Sequence, residues 1–372
     1  MKKFTLIFCI VFVFKNVAVH AQASRYQAAW PDTDFEQSLV DMSEIIGGGP
    51  PRDGIPAVDQ PNFDTVAEAA EWLGGQEPVI ALVIDGKARA YPLQILMYHE
   101  IVNDELNGLS VSVTFCPLCN ASIAFERHYK GQLLDFGTTG LLRRSDLVMY
   151  DRQTESWWQQ FSGKAIVGKY VGAVLRRIPS SLVAFATFGS SYPEGEVLNR
   201  DTGHSRPYGR NPYSGYDNIN SSPFLYAGKT DGRLAPMERV LSISDGPTHR
   251  IYPFERLKTE NLINDRLGQT DVVIMARGRV LSALDDSAIA ASRKIPEATA
   301  WRRQLPGSDD SLTFSLISDK VVDDQTGSVW NPLGQAVAGP LQGSQLEALE
   351  DSGVHFAFAW LAFNPDTEIY GQ

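Results

Sequence analysis

Two cysteines three positions apart, in Cys-Pro-Leu-Cys at 116–119, carry more chemistry than any other short stretch of this chain. Such a pair can ligate a metal as thiolates, cycle between dithiol and disulfide, or sit oxidised as a static clip. The clip closes only a small loop, and the entropic gain of a cross-link grows with loop size. Dithiol cycling is best known from pairs that open a helix inside a βαβ unit, whereas residues 120–125 alternate like a strand. A metal has further candidate ligands in His99, Glu100 and Met149, and in His355 at the far end of the chain. Two thiolates with an imidazole and a thioether suit copper; two thiolates with an imidazole also suit zinc. A four-cysteine zinc site is excluded by count, and covalent haem by Asn120, which follows Cys119 where a histidine is required. His99 precedes Cys116 by one turn and one strand, so the end of a helix and the end of a strand can bring them together. The plain alternative for His99 is a helix-end histidine satisfied by backbone carbonyls.

These residues need elements to hold them. Residues 79–84 and 87–91, joined by Asp85-Gly86, read as a β-hairpin. Residues 92–99 read as a short helix with proline at its first position. Residues 109–115 alternate as a strand running into Cys116, and 120–127 resume a strand pattern. Residues 64–73 have a helical face of Ala67, Ala70 and Leu73, and 22–41 read as a helical lead-in. The Gly- and Pro-rich stretch at 45–56 is a fixed loop. The expected class is α+β, strand-rich with short helices.

The chain repeats itself. Residues 91–104 match 252–265, with Tyr-Pro, one Leu and Asn-Asp identical. Residues 151–158 (Asp-Arg-Gln-Thr-Glu-Ser-Trp-Trp) match 323–330 (Asp-Asp-Gln-Thr-Gly-Ser-Val-Trp), and 192–197 parallel 364–369. The matches fall in the same order, so two related β-dominated halves are expected, near 50–200 and 230–372, with 201–229 as a crossover loop and 22–49 as the lead-in. Features present in both halves belong to the fold; Tyr91, Asn103, Asp104 and the Asp-x-Gln-Thr-x-Ser stretch are of this kind, and their side chains should tie turns and caps. His99, Glu100, Cys116 and Cys119 have no counterpart, since the second half has Glu260, Asn261 and no thiol. The first half is therefore the expected seat of the chemistry. Trp158 has its partner in Trp330 and reads as packing. Asp146 and Asp151 are available acid–base groups, but their spacing does not single them out.

The 372 residues are 43% hydrophobic, too apolar for a disordered chain and enough for a substantial core. A net charge of −11 makes a nucleic-acid or anionic-membrane binder a poor expectation. Residues 1–21 have the form of an export signal: Lys2 and Lys3, an apolar run at 4–14, and a small-residue cleavage site near Ala21. Its removal takes three lysines and no acid, leaving 30 basic against 44 acidic residues and only two cysteines. No later stretch is long enough to span a bilayer, so a periplasmic or secreted protein is expected. Hydrolase signatures such as Gly-x-Ser-x-Gly and His-Glu-x-x-His are absent from the sequence, as is a P-loop.

The segments at 48–57, 90–96, 99–104 (His-Glu-Ile-Val-Asn-Asp), 114–120 (Thr-Phe-Cys-Pro-Leu-Cys-Asn) and 146–154 resemble an uncharacterised prokaryotic family, catalogued as a domain of unknown function. The resemblance runs over roughly 45–370. It implies export and carries no reaction. The residues thus point to a thiolate-based metal centre, copper before zinc, or a dithiol redox centre, at Cys116 and Cys119 with His99, Glu100 and Met149. An unidentified redox or metal-transfer partner goes with it. The alternative is a non-catalytic binding module with a static Cys116–Cys119 disulfide.

Overall fold

The computed structural model describes residues 25–372 except position 309. Residues 1–24, on which the expected export signal falls, lie outside the described residues.

Strands dominate, as the alternating patterns require. In the first half the order is β1 (Pro78–Ile84), β2 (Lys87–Pro92), α1 (Leu93–His99), β3 (Ile101–Leu106), β4 (Leu109–Cys116), β5 (Ala121–Glu126), β6 (Phe136–Arg143), β7 (Asp146–Asp151), β8 (Trp157–Gln159), β9 (Ser180–Ala184) and α2 (Phe185–Ser191). β1 and β2 pair in register through Asp85 and Gly86, both at positive φ, the two-residue turn whose twist matches antiparallel strands. Pro92 stands just before α1, where its missing N–H costs nothing. β3, β4 and β5 form a meander, and β6–β7–β8 a second one.

The order recurs further along as β10 (Arg239–Asp245), β11 (Thr248–Pro253), α3 (Phe254–Leu257), β12 (Leu262–Leu267), β13 (Thr270–Met275), β14 (Thr299–Arg302), β15 (Phe314–Ile317), β16 (Lys320–Asp323), β17 (Ser352–Phe356) and α4 (Ala357–Phe363). Side-chain ties recur with it. Arg89 bridges Asp104 (2.7 Å) and Glu196, as Arg250 bridges Asp265 (2.7 Å) and Glu368. Asn103 donates to the Phe136 carbonyl and accepts its N–H, as Asn264 does with Phe314. Asp151 accepts from Trp158 Nε1 at 2.8 Å and from the Thr154 N–H; Asp323 does the same for Trp330 at 2.9 Å and Thr326. These shared polar residues knit strands and turns together and cap no helix.

The halves pack reciprocally. The face of β1, β2 and β9 carrying Val79, Ala81, Ala90 and Val183 packs on Val273, Trp301 and Trp330. In return Val240, Ile251, Phe356 and Trp360 join the core that contains Cys116, Cys119 and Phe161.

Two predicted helices shrink. Over 64–73 only Val66–Ala69 is helical, because Asp64 and Thr65 are held extended by pairing with 196–198. The lead-in makes one helical turn at 25–27 and then turns and bends; Pro31 cannot extend a helix. The segment is fixed instead by Trp30 and Phe35, whose rings meet Trp157 edge-on at 5.3 Å.

Candidate functional site

The alternation of β4 ends at Cys116, which pairs with Ala121 at the start of β5, so Pro117 to Asn120 form the hairpin turn. Asn120 takes a left-handed conformation (φ 51°) and its N–H returns to the Pro117 carbonyl, bringing Cys119 back beside Cys116. Both cysteines are free thiols and fully buried.

A carboxylate from another hairpin meets them. β6 and β7 are joined by Arg144 and Ser145, both at positive φ (53° and 67°), and Asp146 is the first residue beyond that turn. Ser318 and Asp319 take the same conformation between β15 and β16, so this two-residue turn belongs to the shared scaffold. The turn aims the Ser145 carbonyl at both sulfurs, 3.5 Å from Cys119 and 3.9 Å from Cys116. The donor atoms of Cys116, Cys119 and Asp146 all lie within 4.8 Å of one another; among the described residues no other group of three or more His, Cys, Asp and Glu side chains does so.

Asp146 is oriented from behind. Its Oδ2 accepts from Gln159 Nε2 (2.6 Å) and from the Phe161 N–H (2.9 Å), while its buried Oδ1 takes no nitrogen or oxygen donor. Burial pushes this carboxyl up to about 7 against the pull of those donors and of the two thiols. Burial also raises both thiols, Cys119 well above its usual range. The nearest guanidinium groups are engaged elsewhere, Arg143 with Glu44 (2.8 Å) and Arg177 with Asp351 (2.9 Å).

Of the other predicted site residues, Glu100 stands closest. It ends α1 in a left-handed conformation, and its carboxyl is pushed up to about 8, first by burial and then by the charge of Asp146. His99 is turned away. Its Nδ1 donates to the Pro56 carbonyl at 2.7 Å and its Nε2 meets the Tyr208 hydroxyl at 2.6 Å. Burial holds its pKa down to about 4, so the ring is neutral and its remaining lone pair is already used by Tyr208. Met149 shares the face of β7 with Leu147 and Asp151, opposite Asp146 by strand alternation, and packs in the core near Trp158. His355 stacks on Trp360 at 5.4 Å and lies tilted against Phe161, buried and neutral. Met149 and His99 thus contribute to the scaffold around the thiols.

The crossover covers the site. Between Leu198 and Arg239 the described chain forms neither helix nor strand, and it lies across the Cys-Pro-Leu-Cys turn. The Tyr216 hydroxyl donates to the Leu118 carbonyl (3.1 Å) and accepts the Phe224 N–H (3.2 Å). Ser145 Oγ donates to the Phe224 carbonyl at 2.5 Å. His99, through Tyr208 and Thr202, anchors the start of this strap.

Sequence reasoning left Asp146 among undifferentiated acids. The signal that marks it is the hairpin length: six register pairs join β6 to β7, against four for β15 and β16. The extra length exists only in the first half and carries Asp146 to the thiols.

Over residues 52–367 the chain matches the model of a family described as protein of unknown function (DUF3179). It belongs to that family. No curated protein and no solved structure matches it. As a member of DUF3179 it offers a site whose chemistry must be read from its own residues. Among those described, no helix is long and apolar enough to cross a membrane.

Proposed function

We propose that this is an exported protein whose first half, near 50–200, holds a thiophilic divalent metal on Cys116, Cys119 and Asp146, and whose second half, near 230–372, serves as scaffold. The observation that carries the reading is the carboxyl of Asp146, buried beside two thiols, with Oδ2 pinned by Gln159 and Phe161 and Oδ1 taking no nitrogen or oxygen donor. Fixing one carboxylate oxygen so that the other is free is how an outer shell orients a metal ligand. Sulfurs sharing one tetrahedral zinc stand about 3.8 Å apart, given Zn–S bonds near 2.3 Å, and these donor atoms lie within 4.8 Å of one another. Cys116, Cys119, Asp146 and Glu100 are all pushed toward their protonated forms by burial, and a divalent cation supplies the charge that lets thiols and a carboxyl ionise together.

Zinc fits this donor set better than copper. The copper expectation drew on the imidazole of His99 and the thioether of Met149. A carboxylate oxygen beside two thiolates is an ordinary zinc combination, with Glu100 or water available as a fourth ligand.

Dithiol chemistry is the second reading, favoured by one observation: a carboxyl titrating near neutrality stands within reach of two free thiols. Oxidation to the Cys116–Cys119 disulfide would pass two electrons and two protons to a partner disulfide, which is reduced to its dithiol. Burial works against it, because exchange needs an accessible thiolate.

Metal analysis of anaerobically purified protein tests the proposal. One equivalent of zinc is expected, lost in Cys116→Ser and Asp146→Asn. Metal-free wild type with a readily reversible disulfide favours dithiol chemistry instead, and an unreactive disulfide favours a static clip in a binding module.

A further inference from the structure

The repeat provides a control for every interface, and one pair of equivalent places differs. In the first half the turn after β8 carries Phe161, which stacks on Phe363 at the end of α4 (4.9 Å, 15°) and packs on His355. In the second half the corresponding turn, 331–334, lies against the end of α2, where Asn331 Nδ2 donates to Ser191 Oγ at 3.0 Å. There Pro332 and Leu333 stand in place of the aromatic turn residue, Ser191 stands in place of Phe363, and Val183 in place of His355. The rings that close the first interface are missing from the second. Beside Leu333, the position equivalent to Phe161, is a cavity of about 720 Å³, walled by Trp301, Tyr192, Leu333 and Ala81, with Ser181 and Gln342 at its polar side.

The cleft opens to solvent beside Val337, and its volume is that of a small-molecule site. Trp301 has its Nε1–H satisfied by the Pro332 carbonyl at 3.0 Å, so it offers the cavity a ring face. Asp85 and Glu347 contribute to the lining, and no lysine, arginine or histidine does. An anion therefore finds no counter-charge there.

We infer that this cleft between the halves is a binding site for a small, flat organic ligand that is uncharged or cationic, its ring seated among Trp301, Tyr192 and Leu333 and its polar edge toward the serine and glutamine side chains. This site lies apart from the thiols and does not depend on metal binding.

Titration calorimetry of the full protein with benzamidine, benzyl alcohol and benzoate separates the outcomes, since the three share a ring and differ in charge. Benzamidine and benzyl alcohol are expected to bind at millimolar levels, with benzoate at least tenfold weaker. Leu333→Phe should restore a ring, weaken both by at least tenfold and melt no lower than wild type. Val337, about half exposed at the rim, gives a second variant: Val337→Trp should block entry without touching the core. The inference is overturned by absence of binding of all three probes, by benzoate binding as well as benzamidine, or by undiminished binding in Val337→Trp.

Discussion

His99 is the residue on which the expectation from spacing and the tertiary structure diverge most, and replacing it with glutamine separates them. Its ring is buried and neutral, with a pKa near 4 against 6.5 for an ordinary histidine. Between those values the unfolded chain binds a proton that the folded protein does not, so stability falls as pH is lowered through that window. At about 1.4 kcal/mol for each pH unit of separation, the full loss is about 3 kcal/mol, complete below pH 4 and absent above pH 6.5. His99→Gln removes the titrating group. It should cost about 1–2 kcal/mol at pH 7 through the disturbed Pro56 and Tyr208 contacts and then lose less than wild type on acidification. Urea unfolding at a series of pH values between 7 and 4 reads both effects, and His355, present in both proteins, cancels. Metal content of the folded protein at pH 7 should be the same in His99→Gln as in wild type. Parallel stability curves for the two proteins would show that His99 is not held neutral by burial. Loss of metal in His99→Gln would return it to the ligand set and refute the site as drawn.

Other consequences are as direct. Asp151→Ala and Asp323→Ala each strand a buried tryptophan N–H together with the turn donors, the N–H and hydroxyl of Thr154 in one and of Thr326, with the Ser328 N–H, in the other, so both should lose about 3–4 kcal/mol in urea unfolding; a loss under 1 kcal/mol in either would mean the shared motif is not structural. Tyr216→Phe removes the hydroxyl that ties Leu118 to Phe224. Labelling of the metal-free thiols by a water-soluble disulfide reagent should then accelerate roughly tenfold, about the worth of one to two hydrogen bonds; an unchanged rate would mean the strap does not limit access.

The β-hairpins, the strands flanking Cys-Pro-Leu-Cys and the doubled order of elements were legible in the amino-acid sequence because period, turn residues and internal repetition are local signals. The same repetition separated Asp151 and Asn103, which serve the fold, from the unduplicated thiols. Helices were over-read at 22–41 and 64–73, where pairing with distant strands and burial of Trp30 outweigh helical periodicity. The composition of the site itself was a tertiary decision. Asp146 reaches the sulfurs only because one hairpin is longer than its counterpart and packs beside another. His99 is diverted because a strap more than a hundred residues away donates Tyr208 to its ring. Spacing along a chain limits which side chains can meet; which lone pair remains free is settled by neighbours that arrive from elsewhere.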